Sequence, residues 1–161
     1  MNFFLSLLIF SVISAEPASG GQQTVQEVQE TPIKESLFIT MERTPCLGRC
    51  PSYKISIFNT GKILYEGYDF VEHQGTFQGQ LSPVQLNDIR AKMDEIKIFA
   101  LQNKYDSPIT DIPSCLLYIN DGEQKKKIYD RHGAPESLKE FEKLIDTFVS
   151  GCKLSKVKTS K

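Results

Sequence analysis

The chain has 161 residues, 40% apolar and 24% charged, with 19 basic against 20 acidic side chains and a formal net charge of -1. That composition suits an ordinary globular domain. It speaks against a nucleic-acid binder, whose affinity comes from a concentrated Lys/Arg surface.

Residues 3–15 form an apolar run broken only by serines and ending in Ile13-Ser14-Ala15, which reads as a signal peptide over residues 1–15 with a small-residue cleavage site. Its positive charge rests on the α-amino group, because no Lys or Arg falls in the first fifteen residues. The run is shorter than the roughly 20 residues a membrane-spanning helix needs. The first cysteine is Cys46, so no lipid anchor is expected at the cleavage point. The expectation is a protein exported to the periplasm or the medium and soluble after cleavage.

Residues 16–36, rich in Gln, Glu, Ser, Gly and Pro, read as a flexible polar leader. Residues 37–152 then have the size of a single domain. Alternation in Leu37-Phe38-Ile39-Thr40-Met41 and in Tyr53-Lys54-Ile55-Ser56-Ile57 predicts two half-buried strands. Asn59-Thr60-Gly61 supplies a turn into a returning strand, Lys62-Ile63-Leu64-Tyr65-Glu66. A further strand is expected around residues 68–77, with ends blurred by Gly75 and Gly79.

Ser82-Pro83-Val84-Gln85 combines an N-cap serine, a proline at the first helical position and a Gln three residues after the cap. Leu86, Ile89, Met93 and Ile96 give the helix that follows an apolar stripe. A proline-bounded loop, residues 105–113, leads to two strands flanking Asp121-Gly122, a hairpin signal. A last helix opens near Pro135, buries Leu138, Phe141, Ile145 and Phe148, and ends at Gly151. Residues 153–161 read as a disordered basic tail. The predicted fold class is α+β, an antiparallel sheet built from hairpins with two helices packed on it. There is no βαβ repeat, phosphate loop or dinucleotide fingerprint.

Thr44-Pro45-Cys46-Leu47-Gly48-Arg49-Cys50-Pro51-Ser52-Tyr53 is the densest local signal. Four extended residues cover about 13 Å, whereas a disulfide wants Cα atoms roughly 4.4–6.8 Å apart, so joining Cys46 to Cys50 requires the turn that Pro45 and Gly48 can supply. Closing so short a loop contributes about 2 kcal/mol, against about 4 kcal/mol for a second possible pair, Cys115 with Cys152. Four cysteines permit several pairings, and export favours oxidation. The alternatives for Cys46 and Cys50 are a redox couple or a copper or zinc site with His132 as distal ligand. Cys-x-x-x-Cys-Pro with a distal His resembles Sco-type copper chaperones, but those follow the motif with a helix, and here a strand follows.

Other candidates are weaker. No Ser, His and acid constellation and no Gly-x-Ser-x-Gly motif appears, so catalytic residues are not expected. Asp106 and Asp111, with Thr110 between them, form either a carboxylate pair or ordinary turn chemistry. His73 reads as an outward-facing strand residue.

Arg43-Thr44-Pro45-Cys46, Gly48, Cys50-Pro51 and Tyr53, followed by Gly61, Tyr65, Gly67, Tyr105-Asp106, Thr110-Asp111-Ile112-Pro113 and Gly133-Ala134-Pro135, resemble domain-of-unknown-function family 6438. Its members look like small exported bacterial proteins. The resemblance implies no activity and no cofactor, and Cys115 and Cys152 fall outside its pattern. The expected function is an exported, non-catalytic binding module for a protein or small ligand. Its surface would comprise Arg43, Arg49, Tyr53, Tyr105, Asp106, Thr110 and Asp111. The alternative is thiol-based metal handling or redox chemistry at Cys46 and Cys50.

Overall fold

A computed structural model describes residues 34–158. The signal-peptide expectation for residues 1–15, most of the leader and residues 159–161 lie outside the described residues.

Eight strands and two helices follow in chain order: β1 Leu37–Arg43, β2 Tyr53–Phe58, β3 Lys62–Gly67, β4 Gly75–Gln80, α1 Pro83–Glu95, β5 Lys104–Tyr105, β6 Cys115–Asn120, β7 Lys125–Asp130, α2 Glu136–Ser150 and β8 Ser155–Lys156. They form one sheet in the order β5-β7-β6-β1-β2-β3-β4-β8, antiparallel except for the short β5–β7 pair. The fold is α+β, with no helix among the described residues long and apolar enough to cross a membrane.

The strands form where local chemistry directs them. Gly61 takes φ 82° in the β2–β3 turn and Gly122 takes φ 106° between β6 and β7, backbone angles that favour glycine. The Ser82 capping box is formed: the Gln85 backbone N–H donates to Ser82 Oγ at 3.2 Å and the Ser82 N–H donates to Gln85 Oε1 at 2.9 Å.

Register places the inward-facing side chains in rows across the sheet. One row runs Ile119, Ile39, Ile57, Ile63 and the next Ile128, Leu117, Met41, Ile55, Tyr65, Phe77. Onto these rows α1 brings Ile89 and Met93, and α2 brings Leu138, Phe141, Ile145 and Val149. Each such fully buried aliphatic or aromatic side chain contributes about 1.5–3 kcal/mol of transfer free energy.

Several expectations change. Alternation assigns Phe38 to the outer face, yet it is 1% exposed. A register shift between Leu37 and Ile39 lets it pack, and the Arg90 guanidinium on α1 sits 4.3 Å from its ring centroid. The strand expected over residues 68–77 begins only at Gly75. Residues 68–74 instead fold back over Gly67, where an added Cβ would lie 1.9 Å from the His73 carbonyl oxygen.

The ends of the domain also differ. The leader's last residues are tied down: Ser36 N–H donates to Asn59 Oδ1 at 2.9 Å, and Glu35 pairs with Lys62 at 3.0 Å. The tail expected to be disordered from residue 153 supplies β8, which pairs with Phe77 and Gln78 of β4. Such pairing is made by main-chain groups and does not require apolar side chains.

Candidate functional site

Beyond the two apolar rows lies a third, Asp130, Cys115, Arg43, Tyr53 and Gly67, and it is polar. It meets α2 at Glu142 and Asp146, one helical turn apart on the same face. Arg43 donates through Nη1 to Glu142 Oε2 at 3.0 Å and through Nη2 to Asp146 Oδ2 at 2.7 Å. Tyr53 OH donates to Asp146 Oδ1 at 2.6 Å, and its ring stacks on Tyr65 at 5.7 Å.

Burial sets the electrostatics. Glu142 is 3% exposed, and desolvation raises its pKa against the opposing pull of Arg43. The Cys115 thiol is pushed well up, first by burial and then by Glu142, which makes it a poor nucleophile. Burial works against the Arg43 guanidinium, but Cys115, Asp146 and Glu142 outweigh it, and its pKa is raised. Tyr53 is raised by burial and by its bond to Asp146, so it serves as a donor rather than as a base. The row is therefore a charged clamp holding α2 to the end of the sheet.

Two cavities border the clamp. One, of about 310 Å³, lies beside Arg43, Cys115, Asp130, Arg131, Lys139 and Glu142. The other, also about 310 Å³, lies beside Tyr53, Tyr65, His73 and Asp146.

Beyond the clamp, loops gather at this end of the sheet. Tyr68 N–H donates to the Ser52 carbonyl at 3.0 Å and Ser52 N–H to that of Asp69 at 2.9 Å, joining residues 68–69 to the segment just after the cysteine turn. Thr44 N–H donates to the Ser114 carbonyl at 2.9 Å, and Ser114 N–H to Thr44 Oγ1 at 2.8 Å, joining the loop before β6 to the segment just before that turn.

The residues expected to form one surface divide between clamp and loops. Arg43 and Tyr53 belong to the clamp, while Arg49 is exposed on the cysteine turn. Tyr105 accepts at its hydroxyl from the Gln102 N–H at 3.0 Å, and its carbonyl accepts from Arg131 N–H at 3.0 Å. Asp106 pairs with Lys104 at 3.0 Å and accepts from the Ser107 N–H at 2.9 Å; hydrogen bonding to Lys104 leads in lowering its pKa. Thr110 Oγ1 donates to Asp111 Oδ2 at 3.1 Å, and Asp111 takes φ 70°. These contacts are turn chemistry.

Cys46 and Cys50 form a disulfide with Cα atoms 5.7 Å apart. Joined in the bridge, the two sulfurs carry no thiolate, the form that ligates a metal. Among the described residues no group of three or more His, Cys, Asp or Glu is arranged to hold a metal ion, so Cys46, Cys50 and His132 do not form one. The second pair is corrected as well: Cys115 and Cys152 are free. Cys115 lies on β6, and Cys152 Sγ lies 3.5 Å from the Gln80 carbonyl oxygen of β4. Strands β1, β2 and β3 separate β6 from β4, a lateral distance of about 19 Å at the usual strand spacing, too far for a bridge.

Glu142, Asp146 and Asp130 are the site residues that sequence reasoning missed. A signal existed: Glu142 and Asp146 flank Phe141 and Ile145 on the buried stripe of α2, and Asp130 continues the inward alternation of Ile128.

Comparison with curated proteins returns no match. The family model for the domain of unknown function DUF6438 matches residues 37–149, from the start of β1 to the last turn of α2. The chain belongs to that family.

Proposed function

We propose that this chain is an exported binding module that docks a protein partner through the loop end of its sheet and performs no catalysis of its own. One observation carries the reading. Five large hydrophobic side chains are exposed among the described residues, and four lie in loops at this end: Leu47 at 82%, Phe70 at 55%, Ile109 at 45% and Tyr68 at 44%. The fifth, Val84, opens α1 beyond the other end of the sheet.

Exposed apolar side chains on loops that share one end of a rigid scaffold are what protein interfaces use, and solvation alone does not favour them. Phe70 adds to the argument, because it holds φ 55° while its ring faces solvent. A non-glycine residue kept in that region stores about 1–3 kcal/mol, which a functional loop tolerates more readily than a neutral one. The disulfide supports Leu47 by closing the turn that carries it.

Site-specific photo-crosslinking in the producing cell tests this reading. A benzophenone side chain is placed at Leu47, at Phe70 or at Val84, and adducts are followed in the periplasmic and extracellular fractions. A discrete adduct from Leu47 and Phe70 and none from Val84 is expected. Equal labelling from all three positions, or recovery of the chain only from the cytoplasm, overturns the proposal.

A further inference from the structure

The cavity beside Arg43 and α2 has a chemistry that the loop surface does not explain. Among the described residues, two buried side-chain atoms lack a hydrogen-bond partner, Arg131 Nε and Glu142 Oε1, and both residues line this one cavity. Buried polar groups are nearly always satisfied, so each exception calls for a partner. Glu142 is 3% exposed and has one oxygen committed to Arg43 and the other uncommitted. The Cys115 thiol borders that carboxylate, but a thiol is only a weak donor.

The remaining walls repeat the pattern. Asp130 is 8% exposed and lies near Lys139, Arg43 and His132 without forming an ion pair among the described residues. Lys139 is exposed on the first half of α2 and likewise forms none. Arg131 meets Asp106 only through Nη1, at 3.8 Å, which leaves Nε–H uncommitted. The residues lining the cavity thus carry two uncommitted donors, Arg131 Nε–H and the Lys139 ammonium, and two uncommitted acceptors, Glu142 Oε1 and the Asp130 carboxylate.

We propose that this cavity binds a small zwitterion, a molecule of free amino-acid size whose carboxylate is taken by Arg131 and Lys139 and whose ammonium is taken by Glu142 and Asp130. Size and charge both select this class. A volume of about 310 Å³ is at the lower end of ligand pockets, which run from roughly 300 to 1,000 Å³. A simple anion leaves Glu142 and Asp130 facing like charge, and a simple cation does the same to Arg131 and Lys139. A ligand carrying both charges meets all four groups with an opposite partner. The site is independent of the loop surface, because Leu47 and Phe70 are not part of it.

The test is calorimetric titration of the full chain with the standard amino acids, using acetate and methylammonium as single-charge probes. Saturable binding of at least one amino acid is expected, with each single-charge probe weaker by roughly tenfold or more, the worth of a lost charge-assisted hydrogen bond. Lys139→Gln, at an exposed position that leaves the fold intact, is expected to weaken that amino acid by roughly tenfold, and Arg131→Gln by at least as much. The proposal is overturned if no amino acid binds, if acetate or methylammonium binds as well as the amino acid, or if Lys139→Gln leaves the affinity unchanged.

Discussion

The two ends of the sheet are built on different principles. At one end the β2–β3 and β6–β7 connections are tight turns whose shape is written into a few residues. Gly61 N–H donates to the Phe58 carbonyl at 2.8 Å, and the Asp121 carboxylate accepts from the N–H groups of Glu123 and Gln124 at 2.8 and 2.6 Å. At the other end the chain runs through residues 44–52, 68–74, 106–114 and 131–135 before re-entering regular structure. Its order there comes from long-range contacts, above all the Arg43 clamp to Glu142 and Asp146. One end is thus locally encoded and closed, while the other is held from beneath by a charge cluster, leaving its loops free to carry binding chemistry.

That contrast is sharpest at Arg43. Arg43→Met removes the partner of a buried carboxylate and is expected to destabilise the protein by about 3–5 kcal/mol in urea unfolding. A double change, Arg43→Met with Glu142→Leu, should recover much of the loss, since an apolar pair does not strand a charge. If the single change costs as little as a surface substitution, the clamp does not hold this end.

Glycine tests the same contrast from the backbone. Gly67→Ala drives a Cβ against the His73 carbonyl and the Tyr65 ring, and should cost about 1–3 kcal/mol or more. Gly122→Ala meets open space and is penalised only by its φ, at about 1–2 kcal/mol. Chemical-shift changes that spread through residues 68–74 for the first variant and stay within the hairpin for the second would support this account. The reverse pattern would count against it.

The disulfide should matter less than the clamp. Replacing both Cys46 and Cys50 by Ser removes a closure of five residues, worth about 2 kcal/mol at most. Thermal unfolding should shift modestly while the sheet signature is retained. Loss of the whole fold would show that the turn, rather than the charged row, organises this end.

The smallest effect is a slope. Burial raises the folded-state pKa of Asp130 above the ordinary carboxylate value, so the folded protein holds that proton more tightly than the unfolded chain does. The stability this contributes is fully present below the ordinary value and is lost as pH rises through the raised one. The stability of the native protein relative to Asp130→Asn should therefore fall as pH rises from the ordinary carboxylate value, about pH 4, through the raised one. A difference that stays flat or climbs across that range is incompatible with a desolvated Asp130.

Legibility in the sequence divides along the same line. The hairpins, the Ser82 capping box and the stripe of α1 are visible because each depends on residues within a few positions of one another. The clamp is half visible: alternation aligns Arg43 and Tyr53, but nothing local shows that α2 turns Glu142 and Asp146 toward them. The width of a helix's buried face is set by what it lies on. Phe38 is misassigned for a related reason, because a register shift has no side-chain signature. The β8 pairing is invisible, since Ser155 and Lys156 join the sheet through main-chain groups alone.

That last strand bears on where the protein can be cut. The family match ends at residue 149, but Leu154 fills the space left by Gly79, where an added Cβ would lie 2.9 Å from its side chain, and β8 then covers part of the β4 edge. A chain trimmed to the matched boundaries would expose the unpaired N–H and C=O groups of β4 to solvent and to other copies. An exposed edge of that kind templates intermolecular strand addition, so aggregation of a shortened domain would report its boundaries rather than its intrinsic solubility.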